Sequence, residues 1–139
     1  MPGGHSSKPQ KETALDVLVK AVKNVHDKPF DKMLSPATDQ FIDYLACEMP
    51  MPLKLVFANK WLFKGIILSE YAKSDAGNAL VRTTGVATVM NAGLQDNVVP
   101  SKVSAKINFR ILPGQTVKGV GDKVKEIVND SRVNITAIE

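Results

Sequence analysis

The chain is poor in the residues that usually announce chemistry. Its 139 residues include one cysteine, two histidines and one tryptophan. A lone thiol, Cys47, excludes an internal disulfide and a Cys-x-x-Cys metal site. Its apolar setting, "FIDYLACEM", predicts a buried structural thiol. His5 and His26 cannot build a catalytic zinc site alone, because such a site takes about three protein ligands. No His-x-Asp or Glu-Glu pair supplies the rest. Ser6 and Ser7 lack the G-x-S-x-G setting of a serine nucleophile. Gly3-Gly4 lacks the longer glycine pattern and the following Lys-Ser/Thr of a phosphate loop. Long apolar runs are missing too. The most apolar stretch, "LKLVFANKWLFKGIILSEYA", is interrupted by Lys54, Lys60, Lys64 and Glu70, which argues against a membrane span. The first residues do not carry a basic region followed by an apolar one, so no signal-peptide pattern is visible.

What remains is ordinary globular material. An apolar fraction of 44% and a charged fraction of 23% fit one domain with a real core. The net charge is +4, but the lysines and arginines are spread along the chain among apolar residues. That spread predicts a solvated surface rather than a nucleic-acid patch.

Periodicity then orders the chain. Leu15, Leu18, Val19, Val22 and Val25 fall on one stripe of a helix over 12–26, with Pro9 upstream and Asp27-Lys28-Pro29 ending it. His26 sits at the helix C-terminus, where positive charge is welcome. Ser35-Pro36 is a helix start, with Ser as N-cap and Pro at the first position. Phe41, Ile42, Leu45 and Met49 continue that helix on one face until Met49-Pro50-Met51-Pro52 breaks it. A further helix is expected over about 53–72, closed by the turn residues "SDAGN".

After that the period drops to two. "NALVRTTGVATVM" predicts a strand, and "NAGLQDN" a connection. In "KVSAKINFRIL" the residues Val103, Ala105, Ile107, Phe109 and Ile111 face one way, and Lys102, Ser104, Lys106, Asn108 and Arg110 the other. "LPGQT" leads into a helix with Thr116 as cap and a stripe of Val117, Val120, Val124, Ile127 and Val128. "RVNITAI" predicts a last short strand. The expected fold is α+β, a two-layer sandwich on the ferredoxin-like β-α-β-β-α-β plan. Its first strand is truncated and a helical insert follows the first helix. A missing first strand leaves unpaired edges, which are either repaired across a dimer or left as a gap.

Three residues stand out as candidates. His5 lies near the terminus, where a lone histidine usually has no role. Asn97 precedes Val98-Val99-Pro100, just ahead of a strand, and Arg110 ends that strand on its polar face. A guanidinium there is able to hold a carboxylate bidentately. Equally, Asn97 reads as a turn residue and Arg110 as a solvated one.

Taken in order, "PGGHSSKP", "NALVRTT" and "NVVPSKVSAKINFRILPG" resemble the lid, or dimerisation, domain of the M-twenty metallopeptidases. The resemblance covers nearly the whole chain. The insert over about 31–77 is most similar to the carboxypeptidase S and N-acyl-amino-acid hydrolase branch. The resemblance implies that residues 1–139 are a piece excised from a larger enzyme. A separate catalytic domain would hold two zinc ions and a glutamate base, and this segment itself no cofactor. It implies a homodimer through the lid, a peptide or N-acyl-amino-acid substrate, and no nucleic acid or membrane as partner. By motif, His5 would reach into the partner's active site and stabilise the oxyanion. Asn97 would position the substrate, and Arg110 would bind its carboxylate. The insert's Trp61, Phe57 and Phe63 would line an acyl pocket or a subunit contact. The alternative is a free-standing ferredoxin-like interaction module without enzymatic role. An RNA-binding sheet ranks below both, because the polar face lacks a stacking aromatic pair.

Overall fold

Helix α1 (Ala14–Asp27) starts where Thr13 is able to cap it. The Thr13 side chain accepts from the Asp16 backbone N–H, and the Asp16 carboxylate accepts from the Thr13 N–H at 2.8 Å. This reciprocal box satisfies two orphan donors of the first turn. The computed structural model describes residues 1–8 and 10–138, so the helix-entry reading of Pro9 lies outside the described residues. The buried face of α1 is Ala14, Val17, Ala21 and Val25, while Leu15 and Val19 are exposed. Small residues let α1 lie close to α6 (Val117–Val128), whose buried face is Val120, Val124, Ile127 and Val128 as its stripe predicts.

Two compact units form. The first comprises Met1–Pro29, Gly85–Phe109 and Val117–Glu139, and the second Phe30–Thr84 and Arg110–Thr116. In the first, β1 (Gly4–His5) pairs antiparallel with β3 (Val98–Val99). There too β2 (Thr84–Asn91) pairs with β4 (Ser104–Arg110) in a second antiparallel ladder. Gly85 belongs in β2 because a Cβ there would run into the Phe109 ring on β4. Residues 103–109 alternate half-buried and exposed as expected. The predicted last strand does not form. Val133 and Ile135 are half-buried and Asn134 and Thr136 exposed, which is a strand's alternation without a ladder partner among the described residues. Chemistry of the right period is not enough when no neighbour offers hydrogen bonds.

The second unit is helical. Ser35 caps α2 (Pro36–Ala46) by accepting from the Thr38 N–H at 3.1 Å. The expected single helix over 53–72 is two, α3 (Met51–Ala58) and α4 (Lys60–Tyr71). Asn59 separates them at φ −110°, ψ 44°, its side-chain amide donating to the Leu55 carbonyl at 2.8 Å. That side-chain bond competes with the backbone ladder. Residues read as turn and strand begin instead as α5 (Asp75–Val81), capped by Ser74. Cys47 is exposed rather than buried, because α2 ends at Ala46 and leaves it at the C-cap.

Ile42, Phe57 and Ile67 form the core of this unit, with Leu34, Met49, Val56 and Phe63 against them. Thr83 ties it to the 110–116 segment. Thr83 is 1% exposed, and its hydroxyl donates to the Gln115 side chain and accepts from the Leu112 N–H at 2.9 Å. Lys60 bridges Asp39 and Asp43, each at 2.7 Å. Burial alone would depress the Lys60 pKa, but the hydrogen bonds to the two carboxylates outweigh it and raise the value.

Ile42→Ala removes a fully buried side chain and should cost about 2–4 kcal/mol of unfolding free energy. Phe41→Ala, at 48% exposure, should cost under about 1 kcal/mol in the same urea titration. A raised lysine pKa stabilises below the unfolded value and loses that contribution as pH climbs past the folded one. The stability gap between the wild type and Lys60→Met should therefore hold constant up to about pH 10 and shrink above it, read by denaturant midpoints across the alkaline range.

Candidate functional site

Residues 1–8 reach the candidate site through backbone geometry. Gly4 pairs with Val99 and His5 with Val98. The ladder continues one step, as the Ser6 N–H donates to the Asn97 carbonyl at 3.0 Å. Gly3 permits this approach, because a Cβ there would stand 2.8 Å from the Val99 carbonyl oxygen. Beyond the pair the chain turns back, with the Lys8 N–H donating to the His5 carbonyl at 3.0 Å. On the other side of the ladder a turn closes through the Val98 N–H to the Gln95 carbonyl at 3.4 Å. Two candidate residues far apart in sequence, His5 and Asn97, are thus neighbours.

Arg110 is placed differently. It is the last residue of β4, exposed, and belongs to the second unit, whereas His5 and Asn97 belong to the first. Its neighbour Ile111 leads into Leu112, whose N–H Thr83 holds. The end of β4 is therefore anchored by a buried hydroxyl.

The His5 ring is oriented from within its own turn. Its Nδ1 accepts from the Ser7 backbone N–H at 3.2 Å and lies 2.9 Å from the Ser7 hydroxyl. A backbone N–H is only a donor, so Nδ1 is the acceptor and the proton of the neutral ring sits on Nε2. The imidazole then presents an N–H donor away from the turn. A donor in that position suits an oxygen that gains negative charge. Sequence reasoning weighed Ser7 only as a nucleophile. The signal for its real part is the His-x-Ser spacing, which lets a turn fold the Ser7 amide onto the ring.

Among the described residues no group of three or more His, Cys, Asp and Glu side chains is placed to hold an ion. Among them, too, no helix is long and apolar enough to cross a membrane. The second unit exposes an unusual amount of apolar surface on α2, α3 and α4, including Tyr44, Met51, Leu55, Leu62 and Ile66. Trp61 is 81% exposed.

Comparison with known proteins fits these observations. The peptidase dimerisation domain family matches residues 2–136. A probable carboxypeptidase S-like 2 protein of Dictyostelium discoideum is 38% identical over 98% of this chain and 26% of its own length. The human N-fatty-acyl-amino acid synthase/hydrolase PM20D1 is 39% identical over 96% of this chain and 27% of its own. The mouse protein of that name is 40% identical over 97% of the chain and 27% of its own. The chain therefore spans about a quarter of the length of these relatives. No solved structure matches it.

The ring assignment is open to direct measurement. Long-range proton–nitrogen NMR of the neutral ring should show a proton-bearing Nε2 and an acceptor Nδ1 for His5. A dominant Nδ1–H form would contradict the Ser7 contact.

Proposed function

Because the chain belongs to the peptidase dimerisation domain family, we propose that it serves as the lid and dimerisation domain of a zinc-dependent exopeptidase or amidohydrolase of the M-twenty type. Residues 1–139 are that domain, with 31–77 inserted after the first helix. The parent enzyme cleaves peptide or N-acyl-amino-acid amide bonds, and its catalytic domain lies outside this chain. The zinc ions belong to that domain. On its own the chain is catalytically inert.

The observation that carries the reading is the junction of His5 with Asn97. In a dimer the His5 Nε2–H of one subunit donates to the scissile carbonyl oxygen in its partner's site. The bond strengthens as negative charge develops on that oxygen, so it favours the transition state over the ground state. Asn97, held beside the hairpin, positions the substrate. Arg110 receives the free carboxylate in a two-pronged hydrogen bond. The exposed apolar side chains of α3 and α4 face the acyl portion. Two of the relatives are named for fatty-acyl amino acids, which supports an apolar contact of this kind.

The two roles separate kinetically. In the full-length enzyme, His5→Ala should lower kcat by about 10²-fold or more with little change in KM, as for loss of an oxyanion donor. Arg110→Ala should raise KM strongly for substrates with a free carboxylate and leave their amidated analogues nearly unchanged. Equal losses for both substrate types would remove Arg110 from the carboxylate role.

A further inference from the structure

The chain has three arginines, Arg82, Arg110 and Arg132. Arg132 is paired, donating to Asp130 and to Glu12, each at 2.7 Å. Among the described residues the side chains of Arg82 and Arg110 have no hydrogen-bond or ion-pair partner. Arg82 is half-buried, and its Nε is shut off from solvent. Among the described residues no other buried side-chain nitrogen or oxygen is left without a partner. An N–H that has given up water for nothing weakens the fold, so the position needs a compensating role. Nearby carboxylates of the second unit are already engaged: Asp39 and Asp43 with Lys60, and Glu70 with Lys73. The terminal nitrogens of Arg82 are not shut off, so the guanidinium lies with its stem side against the protein and its tip in the open.

The β2–β4 ladder puts the two unpaired arginines on one face, and both belong to the second unit. Thr83 points inward, where its hydroxyl holds the Leu112 N–H. Gly85 faces inward too, since a Cβ there would meet the Phe109 ring. Successive side chains of extended backbone alternate. Arg82, itself extended at φ −154°, ψ 158°, therefore faces the other way with Thr84, as Arg110 does after Phe109. The same contacts set the register, with Gly85 opposite Phe109 and hence Thr84 opposite Arg110. Thr88 agrees, its hydroxyl donating to the Lys106 carbonyl at 3.5 Å. Arg82 is then the diagonal neighbour of Arg110, with Cα atoms roughly 7–8 Å apart. Arginine side chains at that spacing reach a common point. Two cations so placed repel each other, and an anion between them turns the repulsion into attraction.

We propose that Arg82 is a second carboxylate-binding residue and holds, together with Arg110, the one free carboxylate of the substrate. A carboxylate has about four lone-pair sites. A two-pronged bond to Arg110 uses two, and the terminal nitrogens of Arg82 fill the others. Because the Arg82 fork is already laid against the protein, it loses little freedom on binding. The ligand class is a monocarboxylate with an amide beside it, such as an N-acyl amino acid or a peptide C-terminus. The role rests on the carboxylate assignment of Arg110 proposed above, and the two fail separately.

In the full-length enzyme, Arg82→Met should raise KM about 10- to 100-fold for an N-acyl amino acid, with kcat nearly unchanged. The amidated analogue should stay within about twofold. Arg82→Lys keeps the charge without the fork and should fall between the wild type and Arg82→Met on the free acid alone. It carries the test if the methionine variant does not fold. Added to Arg110→Ala, Arg82→Met should cost less than about threefold more, because both residues act on one group. Equal losses on free and amidated substrates, no loss on either, or fully multiplicative losses in the double variant overturn the shared grip. If Arg110→Ala alone still discriminates between the two substrates, the Arg110 assignment stands without Arg82. If neither variant discriminates, both assignments fall.

Discussion

Two backbone rungs, Gly4 to Val99 and His5 to Val98, hold the candidate site together. They carry the Ser6–Asn97 bond, the turn behind it and the orientation of the His5 ring. Each exposed hydrogen bond of this kind is worth only about 0.5–1.5 kcal/mol net. A two-stranded ribbon of that length is marginal on its own in water. Gly3 matters for the same reason, since any side chain there would push the rungs apart.

The helical unit is organised on the opposite principle. Ile42, Phe57 and Ile67 give it an apolar core, and Thr83 uses its hydroxyl both as donor and as acceptor inside the unit. A buried hydroxyl left unpaired would cost about 1–3 kcal/mol, so the pairing with Leu112 and Gln115 is a strong local constraint. Through Leu112 it also fixes the exit from β4, immediately after Arg110. A rigid anchor thus stands next to the residue assigned to the substrate's carboxylate, while the histidine sits on the lighter hairpin. Carboxylate recognition tolerates little play in its guanidinium.

Much of this arrangement was legible in the chain. Ser35-Pro36 capped a helix, 103–109 alternated, and the α6 stripe was buried as spaced. The nearness of His5 to Asn97 was not read from spacing; family resemblance marked both residues, and only the ladder shows them side by side. Other features were hidden for physical reasons. The α1 face uses alanines where size alone favours leucine, because close packing against a second helix selects small residues. Asn59 divides one apolar run into two helices through a side-chain bond that no periodicity records. Thr83 looked like a strand residue until its two partners, 29 and 32 positions away, were in place. The last segment has a strand's pattern, yet a strand is a relation between two chains, and one sequence shows only one of them.

Trp61 is the chain's only tryptophan, and its ring is 81% exposed on α4. The protein therefore carries a native optical reporter in the middle of its apolar helical surface. A ring this exposed should emit as an indole in water and be open to quenching by iodide. Any acyl chain, neighbouring domain or second subunit that covers α4 shifts the emission to the blue and shields it from the quencher. Occupancy of that surface is thus readable by fluorescence alone, without a label and without turnover.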